Sequence, residues 1–437
     1  MRRAPLLLLI LALPSSGCLF HRGAKTSGAA KTGTAPVADV GTATGRRQVL
    51  DALIATLEEQ YVPAVEGMLL PADRLREARE SLTAAGEPAR FYAAVNAQLR
   101  LSGNRHLYLY APGHDVFDRP AGETRLVGAT SRTVDGFVYV DDIWEGGPAD
   151  RAGLKYGDQL LPSEDEAPRL DPLPASVKRL TLWVRRTRDA EPTFLSIDSL
   201  GGDTLWYLAE ATRSSIRTLK AGTCRIGVVH VRTLADKDLV EDLITGAQFN
   251  DVDGLILDLR GNAGGEIRLA GELLDLVSRQ PSVWITYREQ RYPFPATSWN
   301  HPLAILVDEK TRSAAEIFAA AIQVRHLGTV IGTPTAGQVQ GSRLFPLPDG
   351  SRLLVPVTRV SLPDGLPMEG RGVTPDIIVE RPLPFAAGRD PVLERARTLL
   401  TNQVACPEDL PAETFPQEKL SPERKPDSRG PSRGQMP

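Results

Sequence analysis

The chain has 437 residues, enough for about two or three domains at roughly 150 residues each. Its 42% hydrophobic and 24% charged residues exclude a disordered chain and a multispanning membrane protein. Opposite charges nearly cancel, 51 Lys and Arg against 54 Asp and Glu, which gives no electrostatic reason to expect a nucleic-acid partner. Three Cys and six His, scattered along the chain, exclude a disulfide framework and offer no zinc spacing, so no cofactor or metal is expected.

Met1-Arg2-Arg3 is basic and precedes an apolar run, Leu6 to Leu13, then Pro14-Ser15-Ser16-Gly17-Cys18. A positive start, a short apolar core and small residues read as a secretory signal over residues 1–17. The core falls well short of the roughly 20 residues that span a bilayer. Cys18 after small residues resembles a bacterial lipoprotein signal, in which that Cys becomes the lipidated first residue, although Ser15 stands where Leu is usual. The resemblance implies a lipid anchor on the periplasmic side of a bacterial cell envelope, with the outer membrane favoured over the inner. The alternative is ordinary cleavage with Cys18 incidental. Residues 18–45, rich in Gly, Ala, Thr and Lys, read as a flexible tether. Residues 406–437, dense in Pro, Glu, Lys, Arg and Ser, read as a disordered tail.

Residues 46–120 predict a helical region. Leu50, Leu53, Ile54 and Leu57 recur at helical spacing, as do Phe91, Val95 and Leu99, before a short strand begins at Leu107. Residues 121–201 change character. A strand over 136–140 is followed by Gly146-Gly147-Pro148-Ala149-Asp150-Arg151-Ala152-Gly153-Leu154, then Gly157-Asp158-Gln159-Leu160-Leu161 and a strand over 180–184. That order resembles a PDZ domain, a fold that binds an extended peptide or a carboxyl terminus by adding a strand to a sheet edge. No carboxylate-binding loop is evident before Val138, so the alternative is a spacer whose groove is filled. Residues 202–405 alternate strands (225–231, 254–259, 303–307, 329–332) with helices (238–249, 269–277, 314–323), which predicts a sheet with crossover helices.

Three segments of this last region carry chemistry. Leu257-Asp258-Leu259-Arg260-Gly261-Asn262-Ala263-Gly264-Gly265 ends a buried strand in glycines, which let backbone N–H groups approach a ligand oxygen. Lys310-Thr311-Arg312-Ser313-Ala314-Ala315-Glu316 opens a helix at a serine, whose bland reading is a capping box closed by Glu316. Met368-Glu369-Gly370-Arg371-Gly372-Val373-Thr374-Pro375-Asp376 leads a loop into a strand, and Glu369 by itself reads as a solvated carboxylate.

Together, and in this order, these segments resemble the C-terminal processing (tail-specific) serine peptidases. The resemblance runs from about Arg46 to Leu400 and implies a multidomain α+β protein: a helical N-terminal region, a PDZ domain and an α/β (crotonase-like, ClpP-like) peptidase core. It implies Ser313 as nucleophile, with an oxyanion hole from the N–H of Gly264 or Gly265 and that of Ala314. One branch of the family activates its serine with a lysine 25 positions on, but Gln338 stands there, and an amide cannot take a proton. Lys310 reads as a surface charge. The other, tricorn-like branch uses His, Ser and Glu, and His106 in Gly103-Asn104-Arg105-His106 matches its histidine, with Glu369 as orienter. Asn104-Arg105 replaces the usual Asp-Gly there. Among the other histidines, His114 is the best competitor, His230 reads as a satisfied core residue, and His301 and His326 as surface positions. The expected activity is hydrolysis of polypeptides by an exported serine endopeptidase, with the PDZ domain holding substrate carboxyl ends or regulating access. The rival is a catalytically silent relative serving as a peptide-binding or scaffold lipoprotein. Oligomeric state is not legible.

Overall fold

The computed structural model describes residues 38–64, 70–113, 125–162, 170–245, 249, 251–278, 284–287, 290–293, 299, 301–363, 365–404 and 418–419. The expected signal, Cys18, most of the tether and His114 lie outside them. Among the described residues no helix is long and apolar enough to cross a membrane.

Helices α1 (Ala43–Gln60), α2 (Pro71–Glu77), α3 (Arg79–Thr83) and α4 (Pro88–Arg100) come first, followed by the short strand β1 (Tyr108–Tyr110). Thr42 Oγ1 caps α1 by accepting the Gly45 N–H at 3.0 Å. Prolines open α2 and α4, where a helix has no use for the missing N–H. Leu50, Leu53, Leu57, Phe91, Val95 and Leu99 share one buried core, as their spacing predicts.

A small antiparallel unit follows: β2 (Arg125–Leu126), β3 (Ala129–Val134), β4 (Phe137–Ile143), the one-turn α5 (Pro148–Arg151), β5 (Gln159–Leu161), β6 (Arg179–Arg185), β7 (Thr193–Asp198) and β8 (Leu200–Gly201). Strands β3 to β7 form one sheet in chain order, and β2 pairs with β8. In β6, Leu182 and Val184 are buried while Thr181 and Trp183 are exposed, the alternation of a half-covered strand.

The remaining elements are α6 (Thr204–Ser215), β9 (Arg217–Ala221), β10 (Cys224–His230), α7 (Lys237–Thr245), β11 (Gly254–Asp258), α8 (Ile267–Val277), β12 (Trp284–Tyr287), β13 (Gln290–Pro293), β14 (Leu303–Val307), α9 (Ala314–Val324), β15 (Thr329–Gly332), β16 (Ser342–Pro346), β17 (Arg352–Pro356), β18 (Ile377–Ile378), α10 (Pro391–Gln403) and β19 (Glu418–Lys419). The main sheet has the order β18-β15-β14-β11-β10-β9-β19. Strands β10, β11, β14, β15 and β18 run parallel, and β9 reverses against both its neighbours. Every residue of β11 and β14 is buried. Residues of α7, α8 and α9 cover one face, and Val392, Ala396 and Leu400 of α10 the other.

Three observations amend the expectations. The helical region draws on later parts of the chain: β1 pairs with β17, and Leu347, Leu353 and Val355 complete its core. The hairpin of β16 and β17 has an apolar face that the helices bury. In the tail expected to be disordered, Glu418 and Lys419 pair with Thr218 and Arg217 at the sheet edge. Cys224 is disulfide-bonded, so one covalent link exists where composition spoke only against a framework.

Candidate active site

Strands β11 and β14 end side by side, and the turns beyond them are tied together. Asp308 Oδ1 accepts the N–H groups of Gly261 at 2.9 Å, Thr311 at 3.0 Å and Lys310 at 3.1 Å. Thr311 Oγ1 donates to Leu259 O at 2.9 Å, and the Arg312 N–H to Asn262 O at 3.0 Å. The next residue, Ser313, is held at φ 58° and ψ −128°. A residue with a Cβ rarely adopts that backbone, which costs on the order of 1–3 kcal/mol and persists only where its surroundings impose it.

The surroundings are on hand. The Ser313 N–H donates to Gln338 O at 2.8 Å and to Glu316 Oε2 at 3.1 Å. Ser313 and Glu316 stand in a capping-box arrangement, with the Glu316 N–H donating to the Ser313 carbonyl oxygen at 3.0 Å. Glu316 is wholly buried and also accepts from Gly337 N–H at 2.7 Å, Gln338 N–H at 2.8 Å and the Thr335 hydroxyl at 2.5 Å. Four donors offset the cost of burying this carboxylate. They also pin the 335–338 loop beneath the start of α9.

Gly264, at φ 93°, lies against Ser313: a Cβ there would stand 2.6 Å from Ser313 Cβ. Its N–H is taken by Asn262 Oδ1 at 2.7 Å. Among the described residues, the N–H groups of Gly265 and Ala314 have no acceptor. Of the two glycines singled out as alternatives, Gly264 thus supplies the close approach and Gly265 the free donor.

His106 arrives from the helical region. The Ser102 hydroxyl accepts the Asn104 N–H at 3.2 Å, and Asn104 Oδ1 accepts the His106 N–H at 2.8 Å. Asn104 Nδ2 donates to Gln340 Oε1 at 2.7 Å, and Gln340 Nε2 to Val62 O at 3.0 Å and Thr358 O at 2.9 Å. Asn104 therefore supplies the order that the missing Asp-Gly had put in question, and Arg105 is exposed. His106 Nε2 lies 3.6 Å from Glu369 Oε1, buried and without a hydrogen bond. Glu369 Oε2 is fixed by Val339 N–H at 2.8 Å and Gln340 N–H at 3.0 Å. Burial, with help from Arg312, holds the imidazole below its ordinary pKa of 6.5 against the pull of Glu369 and Glu316. The ring is neutral at neutral pH, the state in which it can accept a proton.

The 335–340 loop is thus the common anchor: Gln338 O on Ser313, Gln338 N–H on Glu316, and the next two N–H groups on Glu369. Gln338 serves here through its backbone. Lys310 is part-exposed, and its Nζ pairs with the buried Asp141 Oδ2 at 2.7 Å. His230 is a core residue with both ring nitrogens hydrogen-bonded. His301 and His326 are exposed. Sequence reading missed Glu316 as an organiser, seeing only a cap, and missed Asn104 and Gln340. The Ser-x-Asn turn before His106 was the one available signal.

Residues 225–379 match the model described as Peptidase family S41, a segment that contains Gly264, Gly265, Ser313, Ala314 and Glu369 but not His106. This segment is thus similar to the peptidases of that family. Among curated proteins, the chain is 24% identical over 305 residues to the carboxy-terminal processing protease CtpB of Bacillus subtilis, covering 63% of this chain and 60% of that one. It is 33% identical over 184 residues to the tricorn protease of Thermoplasma volcanium, covering 39% and 17%. The chain spans between 49% and 64% of the length of the first carboxy-terminal processing relatives. Among solved structures, a photosystem II D1 C-terminal processing protease shares the fold with a TM-score of 0.51 at 18% identity, covering 79% of this chain and 98% of that one.

Proposed function

We propose that this chain is an exported serine endopeptidase that cleaves polypeptides through an acyl-enzyme on Ser313. The observation that carries the reading is the strained Ser313 at φ 58°, with Gly264 pressed against it. In the proposed reaction neutral His106 removes the Ser313 proton as the hydroxyl attacks a scissile carbonyl. The imidazolium then returns that proton to the leaving amine. Glu369, already fixed by two N–H groups, closes its 3.6 Å gap to Nε2 as the ring gains charge; such bonds are often long before substrate binds. The Gly265 and Ala314 N–H groups receive the oxyanion at the positive end of α9. Water deacylates the enzyme with His106 again as base.

Support for export comes from the basic, short-cored amino end and from the Cys224 disulfide, since such bonds persist in oxidising compartments. Lipidation at Cys18 would place the enzyme on the periplasmic face of the envelope, the outer membrane by preference. The small unit of β2–β8 serves in this reading as the PDZ domain, for which the Gly-Pro-Ala turn into α5 and the five-stranded sheet speak. A fluorophosphonate probe tests the nucleophile: wild type is labelled and Ser313→Ala is not. An unlabelled wild type that nonetheless binds peptides would instead support the silent relative.

A further inference from the structure

The small unit contains a carboxylate seated where none was expected. Val127 and Gly128, between β2 and β3, and Ala129, which opens β3, point three successive backbone N–H groups at one spot, a turn that Gly128 permits at φ 77°. Asp171 fills it. Its Oδ1 accepts the Val127 N–H at 2.5 Å, and its Oδ2 accepts those of Gly128 at 2.7 Å and Ala129 at 3.0 Å. A run of N–H groups of this kind is an anion site.

The backbone around Asp171 completes the pattern. The Asp171 N–H donates to Ala129 O at 3.1 Å. Two residues on, Leu173 exchanges both hydrogen bonds with Arg125, at 2.8 and 2.9 Å, as an antiparallel bridge. Leu170 and Leu173 are buried with Val127 and Ala129 in the core of this unit. An incoming peptide end held by strand addition would make the same set of contacts: its terminal carboxylate on the N–H turn, its last N–H on the first carbonyl of the strand, and its apolar side chain inward. Asp171 presents all three elements from within the chain.

We propose that Asp171 occupies in cis the site that takes a peptide's terminal carboxylate, so that the small unit is closed to chain ends until the 170–173 segment is displaced. The inference rests on the reading of β2–β8 as a peptide-binding domain and deepens it. A turn of N–H groups able to take a carboxylate does lie before Val138, where the sequence offered no such loop, and Asp171 occupies it. Burial pushes the Asp171 carboxyl up to about 6, against the three N–H bonds that pull it down. The contact would set a threshold for substrate ends.

The test uses the full chain carrying Ser313→Ala, so that no probe is cleaved and the outcome is independent of the peptidase reading, which the fluorophosphonate experiment judges separately. The probe is a pool of fluorescein-labelled decapeptides with randomised last three residues, prepared with free carboxyl ends and, in parallel, with amidated ends. Adding Asp171→Ala should tighten binding of the free-acid pool at least about tenfold, read by fluorescence polarisation, and leave the amidated pool unchanged. Asp171→Asn, which keeps an acceptor but no charge, should give an intermediate gain. Circular dichroism establishes that each variant is folded. Folded variants with binding within twofold of the parent, or equal gains for both pools, overturn the proposal. So does a chain that unfolds with either substitution, since Asp171 would then be a structural brace rather than a displaceable occupant.

Discussion

Two histidines of this chain are both largely buried and end in opposite states. His230, at the end of β10, has Nδ1 2.9 Å from Glu145 Oε1 and Nε2 2.8 Å from Arg260 O. Both partners are acceptors, so both ring nitrogens must donate and the ring is an imidazolium. Burial and Arg232 push its pKa down, but Asp258 and Glu145 outweigh them and it lies above 6.5. Among the described residues His106 has no hydrogen bond at Nε2, its carboxylate stands off at 3.6 Å, and burial leaves it below 6.5. The difference teaches that burial alone does not set the role of a histidine; the acceptors within reach do. A doubly donating ring has no site left for a proton. His230 and its neighbour Arg232, which pairs with Asp142 at 2.7 Å and Glu145 at 2.8 Å, instead fasten the small unit to the core.

The sharpest way to break this comparison is to remove each ring in turn. His106→Ala should lower kcat/KM for a peptide substrate by about 10²–10⁴, the usual range for a general base, with little change in thermal stability. His230→Ala should do the reverse, lowering Tm while surviving molecules keep their turnover; equal losses of turnover would sink the assignment. Next comes Arg232→Ala, which strands two carboxylates and should cost about 3–5 kcal/mol of unfolding free energy, measured by urea denaturation. Glu369→Gln should reduce kcat by about tenfold to a hundredfold with KM nearly unchanged, since it acts on the ring and not on substrate.

The smallest effects are those of pH, and their signs differ. The folded-state pKa of His106 is depressed, so kcat/KM should rise with pH through a midpoint below 6.5 and then level off. His230 is raised above its unfolded value. Its contribution to stability is fully present below 6.5 and is lost as pH rises through the folded value above it. Activity and stability should therefore part company on the alkaline side, which paired rate and denaturation profiles would register. Profiles that moved together would mean that one histidine governs both.

Much of the scaffold was legible because its signals are local. β11 and β14 read as buried strands from unbroken apolar runs, and α9 from its alanine-rich opening after Ser313. The pairing of β1 with β17 was not legible, since it joins segments more than 240 positions apart. Nor was the occupation of the Val127–Ala129 turn, because a lone aspartate 42 to 44 positions away carries no periodicity to betray it.

By itself the sequence determined which reactive atoms are available: a serine opening a helix, a histidine after a Ser-x-Asn turn, a glutamate before a strand, and an amide where a lysine could have stood. Only the tertiary structure decided what state each is in. It withdrew the Gly264 N–H into a bond with Asn262, left that of Gly265 free, charged His230 and kept His106 neutral. Desolvation and the positions of distant acceptors set protonation and hydrogen-bond availability, and both depend on which remote segments pack together.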